Sequence, residues 1–185
     1  RVQVQSEYRN VGTRSDMLTF TTAMEYMRVR KPRVLYISLG ETDEFAHHGK
    51  YDLYLLQAAL FDKMLADIWM QVQHSEVYRG KTLLFVTTDH GRGARSLQWT
   101  KHGILVGGSD QTWMVQMGPG VEPLGEMPAG QSVQVIQFAQ YIAHVLGLQF
   151  ETSGHPVAES FIPDRYKDMR ASEKEQPTGG MTVTR

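Results

Sequence analysis

The feature that most constrains the fold is a long run of apolar residues at helical spacing. From Tyr51 to about His74, apolar positions recur every three or four residues over about six turns. These positions are Leu53, Leu56, Ala59, Leu60, Met64, Leu65, Ile68 and Trp69. The spacing predicts a long helix with one apolar face, which must be buried against other elements.

Two short runs rich in β-branched and aromatic residues flank this helix. Residues 33–39 (RVLYISL) lie between Pro32 and Gly40, and residues 82–88 (TLLFVTT) follow a break at Gly80. Both runs predict buried strands. A strand, a helix and a second strand in this order predict a right-handed parallel crossover, and therefore an α/β fold.

Weaker patterns complete the predicted architecture. Residues 15–29 have apolar residues at near-helical spacing behind Ser15 and Asp16, and Pro32 ends that helix. Residues 112–117 (TWMVQM) predict a third strand, and residues 132–146 predict a helix that ends at Gly147.

Composition narrows the classes of function. With 185 residues, 41% of them hydrophobic, the chain suits one globular core, and a net charge of -1 gives no field that would attract nucleic acid. No apolar run approaches the about 20 residues of a membrane span, and no signal peptide is evident. Because the chain has no cysteine, a metal site must use histidine and carboxylate ligands.

Two clusters of such residues follow the two best strand candidates, in TDEFAHHG and TTDHGRG. Ligands bind at the carboxyl ends of strands in open parallel sheets. Asp43 and His47 are four residues apart, so one turn can direct both at a single ion. Asp89 and His90 are adjacent, so their side chains diverge and suit two neighbouring ions. His102 follows in KHG, where Gly103 allows close backbone approach.

Imidazole and carboxylate together predict zinc, or manganese or iron with more oxygen ligands. Two divalent ions about 4 Å apart can activate a nucleophile and stabilise the leaving oxygen of an in-line displacement. The ligand set Asp43, His47, Asp89, His90 and His102 therefore predicts hydrolysis of a small-molecule phosphate or sulfate ester. The competing interpretation is ordinary loop chemistry, with aspartate capping a helix and histidine on the surface.

The series D-E-F-A-H-H-G-K-Y, then T-T-D-H-G, then K-H-G resembles the metal-binding half of the alkaline phosphatase superfamily, which includes phosphodiesterases and sulfatases. The resemblance spans roughly residues 18–148. It implies a three-layer α/β/α fold with a mostly parallel sheet, of which residues 1–163 form a C-terminal portion. The polar composition of residues 164–185 separately predicts a disordered tail. The resemblance also implies that Asp43, His47 and His102 bind one ion, while Asp89 and His90 contribute to another.

In that superfamily, the nucleophilic Thr or Ser and one more metal-binding aspartate lie well upstream of the first motif. Only 42 residues precede Asp43, so the resemblance implies that the nucleophile lies outside this chain. Ser38 stands where alkaline phosphatases proper carry a glutamate for a third metal, so a third ion is not expected. Members of this kind are often exported, which favours a periplasmic or secreted location.

Cationic side chains flank the motifs and suggest how an anionic substrate is held. Arg92 and Lys101 can bind ester oxygens, although solvated surface charge is the more common explanation for any one such cation. Besides a hydrolase, two alternatives stay open: a manganese-dependent phosphomutase or phosphotransferase, and a non-catalytic metal-binding module. The sequence gives no indication of the oligomeric state.

Overall fold

The computed structural model describes residues 13–127, 132–150, 156 and 161–167. The chain divides into two compact units, residues 1–116 and 117–185. The first unit contains helices α1 (Asp16–Arg30), α2 (Glu41–His47) and α3 (Tyr51–His74), strand β1 (Leu84–Thr87) and most of strand β2 (Met114–Met117). The second unit contains a 3₁₀ turn (Val135–Gln137) and helices α4 (Phe138–Val145) and α5 (Asp164–Lys167).

The long helix predicted from apolar spacing is confirmed as α3. It buries Gln57, Met64 and Val72 along one side, and α2 packs against it. Other apolar positions of the predicted face, such as Leu56, are exposed. The buried face is therefore narrower than the run of apolar residues.

The helix predicted at residues 15–29 is confirmed as α1. Lys31 ends it in the left-handed conformation, with φ 50°, and its N–H donates to the Met27 carbonyl at 3.2 Å. Ser15 stands at the N-cap position, but its side chain makes no capping hydrogen bond. The capping role at this end falls instead to a carboxylate from α2, described below.

The predicted three-layer fold with a mostly parallel sheet is wrong. The structure is mostly helical, and its sheet consists of β1 and β2 in antiparallel order. The predicted strands at 82–88 and 112–117 are present in shortened form, while residues 33–39 form no strand. Tyr36 is 86% exposed and Val34 55%.

The prediction failed because a segment with high strand propensity forms a strand only when another strand is available to pair with it. β-branched and aromatic residues stabilise a strand only through pairing with a neighbouring edge. Residues 33–39 form no backbone hydrogen bond with another described residue, while β1 pairs with β2. With no first strand in the sheet, the predicted parallel crossover does not exist.

In the second unit, the helix predicted at residues 132–146 begins later than expected. Gln134 and Gln137 cap a 3₁₀ turn reciprocally, and α4 follows directly. The predicted end is confirmed, because Gly147 has φ 72° and donates its N–H to the His144 carbonyl. Of the predicted disordered tail, residues 164–167 form α5, and residues 168–185 lie outside the described part of the chain. Among the described helices, none is long and apolar enough to cross a bilayer.

Candidate metal centre

Helix α2 positions the first two predicted ligands. Asp43 lies in its first turn, where a carboxylate is favoured by the positive end of the helix dipole, and His47 lies one turn later. Their side chains meet as the spacing predicts, with His47 Nε2 3.3 Å from Asp43 Oδ2. Both side chains remain partly open to solvent.

Two more histidines reach the same carboxylate from the loop between β1 and β2. The Nε2 atoms of His90 and His102 each lie 3.7 Å from Asp43 Oδ1. The rings of His90 and His102 stack with centroids 3.7 Å apart, and His102 Nε2 lies 2.9 Å from His47 Nε2. Three imidazoles thus surround a single carboxylate.

Glycines allow this loop to fold tightly beside the histidines. A Cβ at Gly91 would overlap the backbone carbonyl oxygens of Gly108 and Gln111, and the Gly91 N–H donates to the Ser109 carbonyl at 2.8 Å. At Gly103 a Cβ would meet nothing within 4 Å, so the predicted close backbone approach is not the reason for glycine there. Its φ of 137° is the reason, since residues with a Cβ rarely adopt that conformation.

An aromatic cluster holds the loop against the start of α3. The Trp99 ring meets Tyr51 edge-on at 5.3 Å and Tyr54 at 5.9 Å between ring centroids. Trp99 precedes His102 by three residues, so this contact restrains the segment that carries the histidine. Aromatic pairs in this geometry stabilise beyond the area that they bury.

The structure places Arg92 on Asp43, whereas the sequence predicted it on the substrate. Its guanidinium donates to the Asp43 carboxylate, to the Asp43 carbonyl at 3.0 Å and to the Trp99 carbonyl at 3.3 Å. The side chain is only 15% exposed, and this burial lowers its pKa. Lys101, the other predicted substrate-binding residue, is exposed. Arg92 therefore links α2 to the histidine-bearing loop.

The remaining predicted ligand lies at the edge of the cluster. The Asp89 side chain is 87% exposed, and its Oδ1 accepts the N–H of His90 at 3.0 Å. His48 also lies apart from the centre, because its Nδ1 contacts the Glu44 carbonyl at 2.9 Å. The structure thus gathers four of the five predicted ligands around the Asp43 carboxylate. Asp89 is largely exposed and meets this cluster through His90, whose Nε2 lies 3.7 Å from Asp89 Oδ2.

The orientation of the rings suits metal binding. His90 Nδ1 lies 3.0 Å from the Gly91 carbonyl, which can only accept, so Nδ1 carries a proton and Nε2 is the atom directed at Asp43. The pKa of His102 is lowered, first by burial and then by the neighbouring His90, His47 and Arg92. A lowered pKa keeps His102 neutral, and neutral imidazole is the metal-binding form.

The donor set also has suitable spacing. Two ligand atoms bound tetrahedrally to zinc at about 2.0–2.1 Å lie about 3.3 Å apart. The distances of 3.3 and 3.7 Å between histidine nitrogens and Asp43 oxygens are close to that value. Ligand atoms of Asp43, His90 and His102 all lie within 4.8 Å of one another. Asp43, His90 and His102 could therefore hold one metal ion.

Sequence reasoning missed Asp16, the buried carboxylate that caps α2. An aspartate in the first turn of α1 reads as an ordinary helix-start residue, and no local signal connects it to Gly40, 24 residues later. Comparison with known proteins adds no assignment to this geometry: no protein-family model, no curated protein and no solved structure matches the chain.

Proposed function

We propose that this protein is a metal-dependent hydrolase of small phosphate or sulfate esters, with its ion held by Asp43, His47, His90 and His102. The observation that carries the proposal is the convergence of three imidazoles on one carboxylate. His47 and His102 are 55 residues apart and yet their Nε2 atoms lie 2.9 Å from each other. Three histidines beside one aspartate form a donor set typical of zinc, with manganese as an alternative ion.

The number of ions is a separate part of the proposal. The four converging residues support one ion, because they share the Asp43 carboxylate. A second ion would draw on Asp89 and His90, the pair that the resemblance to the alkaline phosphatase superfamily assigns to it. Because the Asp89 side chain is exposed, this second ion has less structural support than the first.

A bound divalent ion supplies a Lewis acid that withdraws electron density from the ester oxygens and stabilises charge on the leaving group. The chain's own residues prepare the centre for it. Asp43 offers the negative charge, the lowered pKa of His102 favours its neutral form, and Arg92 holds Asp43 by hydrogen bonds to its carboxylate and its carbonyl. Lys101 is exposed near His102 and is the cation that would bind anionic ester oxygens. A periplasmic or secreted location belongs to the same proposal.

One observation favours a second candidate, a metal-binding module without turnover. Arg92 already donates to Asp43, so it is not directed at a substrate oxygen, and Asp89 faces solvent. In that case the ion would stabilise the loop between β1 and β2 and would not act on an ester. Metal binding is common to both candidates, and turnover separates them.

The test compares the wild type with His102→Ala and His48→Ala after dialysis against Zn²⁺ or Mn²⁺. His48 is the matched control, because it is a histidine at the end of the same helix. Its ring contacts the carbonyl and the carboxylate of Glu44. We expect elemental analysis to find bound metal in the wild type and in His48→Ala, with a large loss in His102→Ala. Turnover of p-nitrophenyl phosphate, bis-p-nitrophenyl phosphate or p-nitrophenyl sulfate should follow the metal content.

Two results decide between the alternatives. Wild-type protein that retains no ion would exclude the metal centre, and with it the hydrolase. Bound metal without turnover of any of the three esters, even in a full-length protein that carries the nucleophile expected upstream, would favour the metal-binding module.

A further inference from the structure

The N-termini of α1 and α2 face each other and exchange hydrogen bonds. The Glu41 N–H donates to Asp16 Oδ1 at 3.2 Å, and the Asp16 N–H donates to Glu41 Oε2 at 2.8 Å. The Gly40 N–H also donates to Asp16 Oδ1, at 2.7 Å. Each helix therefore begins on a carboxylate that belongs to the other helix.

The Asp16 carboxylate also reaches α3. Gln57 Nε2 donates to Asp16 Oδ2 at 2.8 Å, and both residues are buried, with Asp16 2% exposed. Burying a carboxylate is costly unless hydrogen bonds compensate for the lost water. Here two backbone amides, one side-chain amide and two helix N-termini provide that compensation. Burial raises the pKa of Asp16, and the hydrogen bonds from Gly40 and Gln57 oppose the rise.

The amides that Asp16 holds lie directly before the metal-binding residues. Gly40 precedes α2 and Glu41 opens it, only two residues before Asp43. Helix α2 has seven residues, and helices this short have little stability of their own in water. Its direction must therefore be set from outside, and Asp16 accepts the amides of Gly40, which precedes the helix, and of Glu41, its first residue.

We propose that Asp16 is a positioning residue for the candidate metal centre, which fixes the start of α2 and so the direction in which Asp43 and His47 project. The proposal rests on the metal-binding function proposed above. The alternative is a purely structural role, in which Asp16 stabilises the whole fold as any buried residue does, with no particular effect on α2.

Three variants separate these alternatives. Asp16→Ala removes the acceptor for Gly40 and Glu41. Met27→Ala is the matched control, because Met27 is buried on the same helix but near its other end. Asp16→Asn keeps a side-chain carbonyl that can still accept from the Gly40 amide, so it should rescue part of the effect and also serves if Asp16→Ala folds poorly.

The first measurement is titration with Co²⁺, followed by its visible d–d absorption, which reports affinity and coordination geometry together. Loss of a group that orients metal ligands typically lowers affinity about 10–100-fold. We expect Asp16→Ala to lose at least about tenfold and to change the band intensities, and Asp16→Asn to lose less. Met27→Ala should keep the wild-type spectrum. Equal losses in Asp16→Ala and Met27→Ala would overturn the proposal.

The second measurement needs no metal: amide hydrogen exchange of residues 41–47. Asp16→Ala should accelerate exchange in α2 selectively, while Met27→Ala should not. Unchanged exchange over α2 in Asp16→Ala would overturn the positioning role, whatever the Co²⁺ titration shows. If the wild type binds no Co²⁺ but Asp16→Ala still loosens α2 selectively, the positioning of α2 stands and the metal-binding function fails.

Discussion

The two halves of the candidate centre are held in different ways. One half, Asp43 and His47, lies on a single short helix, where a spacing of four residues brings the side chains together. The other half, His90 and His102, lies on a loop whose shape depends on backbone contacts between distant residues. The first half can be read from local sequence, while the second exists only once the loop has folded.

Substitution of the residue that both halves share should have the largest effect. Asp43→Ala removes the carboxylate that contacts all three histidines. Loss of a group that only orients a metal ligand lowers affinity by up to about 100-fold, so we expect loss of Asp43 itself to lower it by more. His47→Ala or His90→Ala leaves three of the four ligand groups in place and should lower metal affinity less. Competition against a chromophoric chelator measures all three variants. A loss in Asp43→Ala no greater than in His47→Ala would show that the halves do not share a centre.

A substitution that disrupts only the loop carrying His90 and His102 should have an intermediate effect. Gly91→Ala places a Cβ against two backbone carbonyl oxygens, so we expect a loss of about 1–3 kcal/mol in the free energy of unfolding, together with weaker metal binding. The control is Gly107→Ala in the same loop, where a Cβ would meet nothing within 4 Å. Urea unfolding followed by circular dichroism measures both. Similar losses at the two glycines would contradict the packing described for Gly91.

The smallest effect concerns the contact between the loop and α3. A double-mutant cycle with Tyr51→Ala and Trp99→Ala should give a coupling free energy of about 0.5–1.5 kcal/mol, because their rings meet edge-on. The same cycle with Tyr26, an exposed tyrosine on α1, in place of Tyr51 should give no measurable coupling. A coupling near zero for Tyr51 and Trp99 would mean that the cluster does not restrain the loop.

Local periodicity predicted the helices well, because an α-helix satisfies its backbone within a continuous segment. Helix α3 and the pairing of Asp43 with His47 follow from spacing alone. Strand pairing depends on a partner that the segment itself does not encode. Residues 33–39 and residues 82–88 therefore look alike in sequence, yet only the second run contains a strand.

The parts of the centre that sequence could not predict are its long-range contacts. The link from Arg92 to Asp43 spans 49 residues, and the link from Gln57 to Asp16 spans 41. Both involve side chains whose default interpretation is a solvated surface charge or an ordinary polar helix residue. The adjacency of Asp89 and His90 predicted diverging side chains. In the structure they instead approach each other, because His90 Nε2 lies 3.7 Å from Asp89 Oδ2 as well as 3.7 Å from Asp43 Oδ1.

The distance along the chain between His47 and His102 has a thermodynamic consequence. Ligands this far apart are brought together only in the folded state, so an ion at this centre would bind the native protein and not the unfolded chain. Such an ion at 100 times its dissociation constant adds about 2.7 kcal/mol to the free energy of unfolding. The melting temperature would then depend on the free metal concentration, and chelators would act as denaturants.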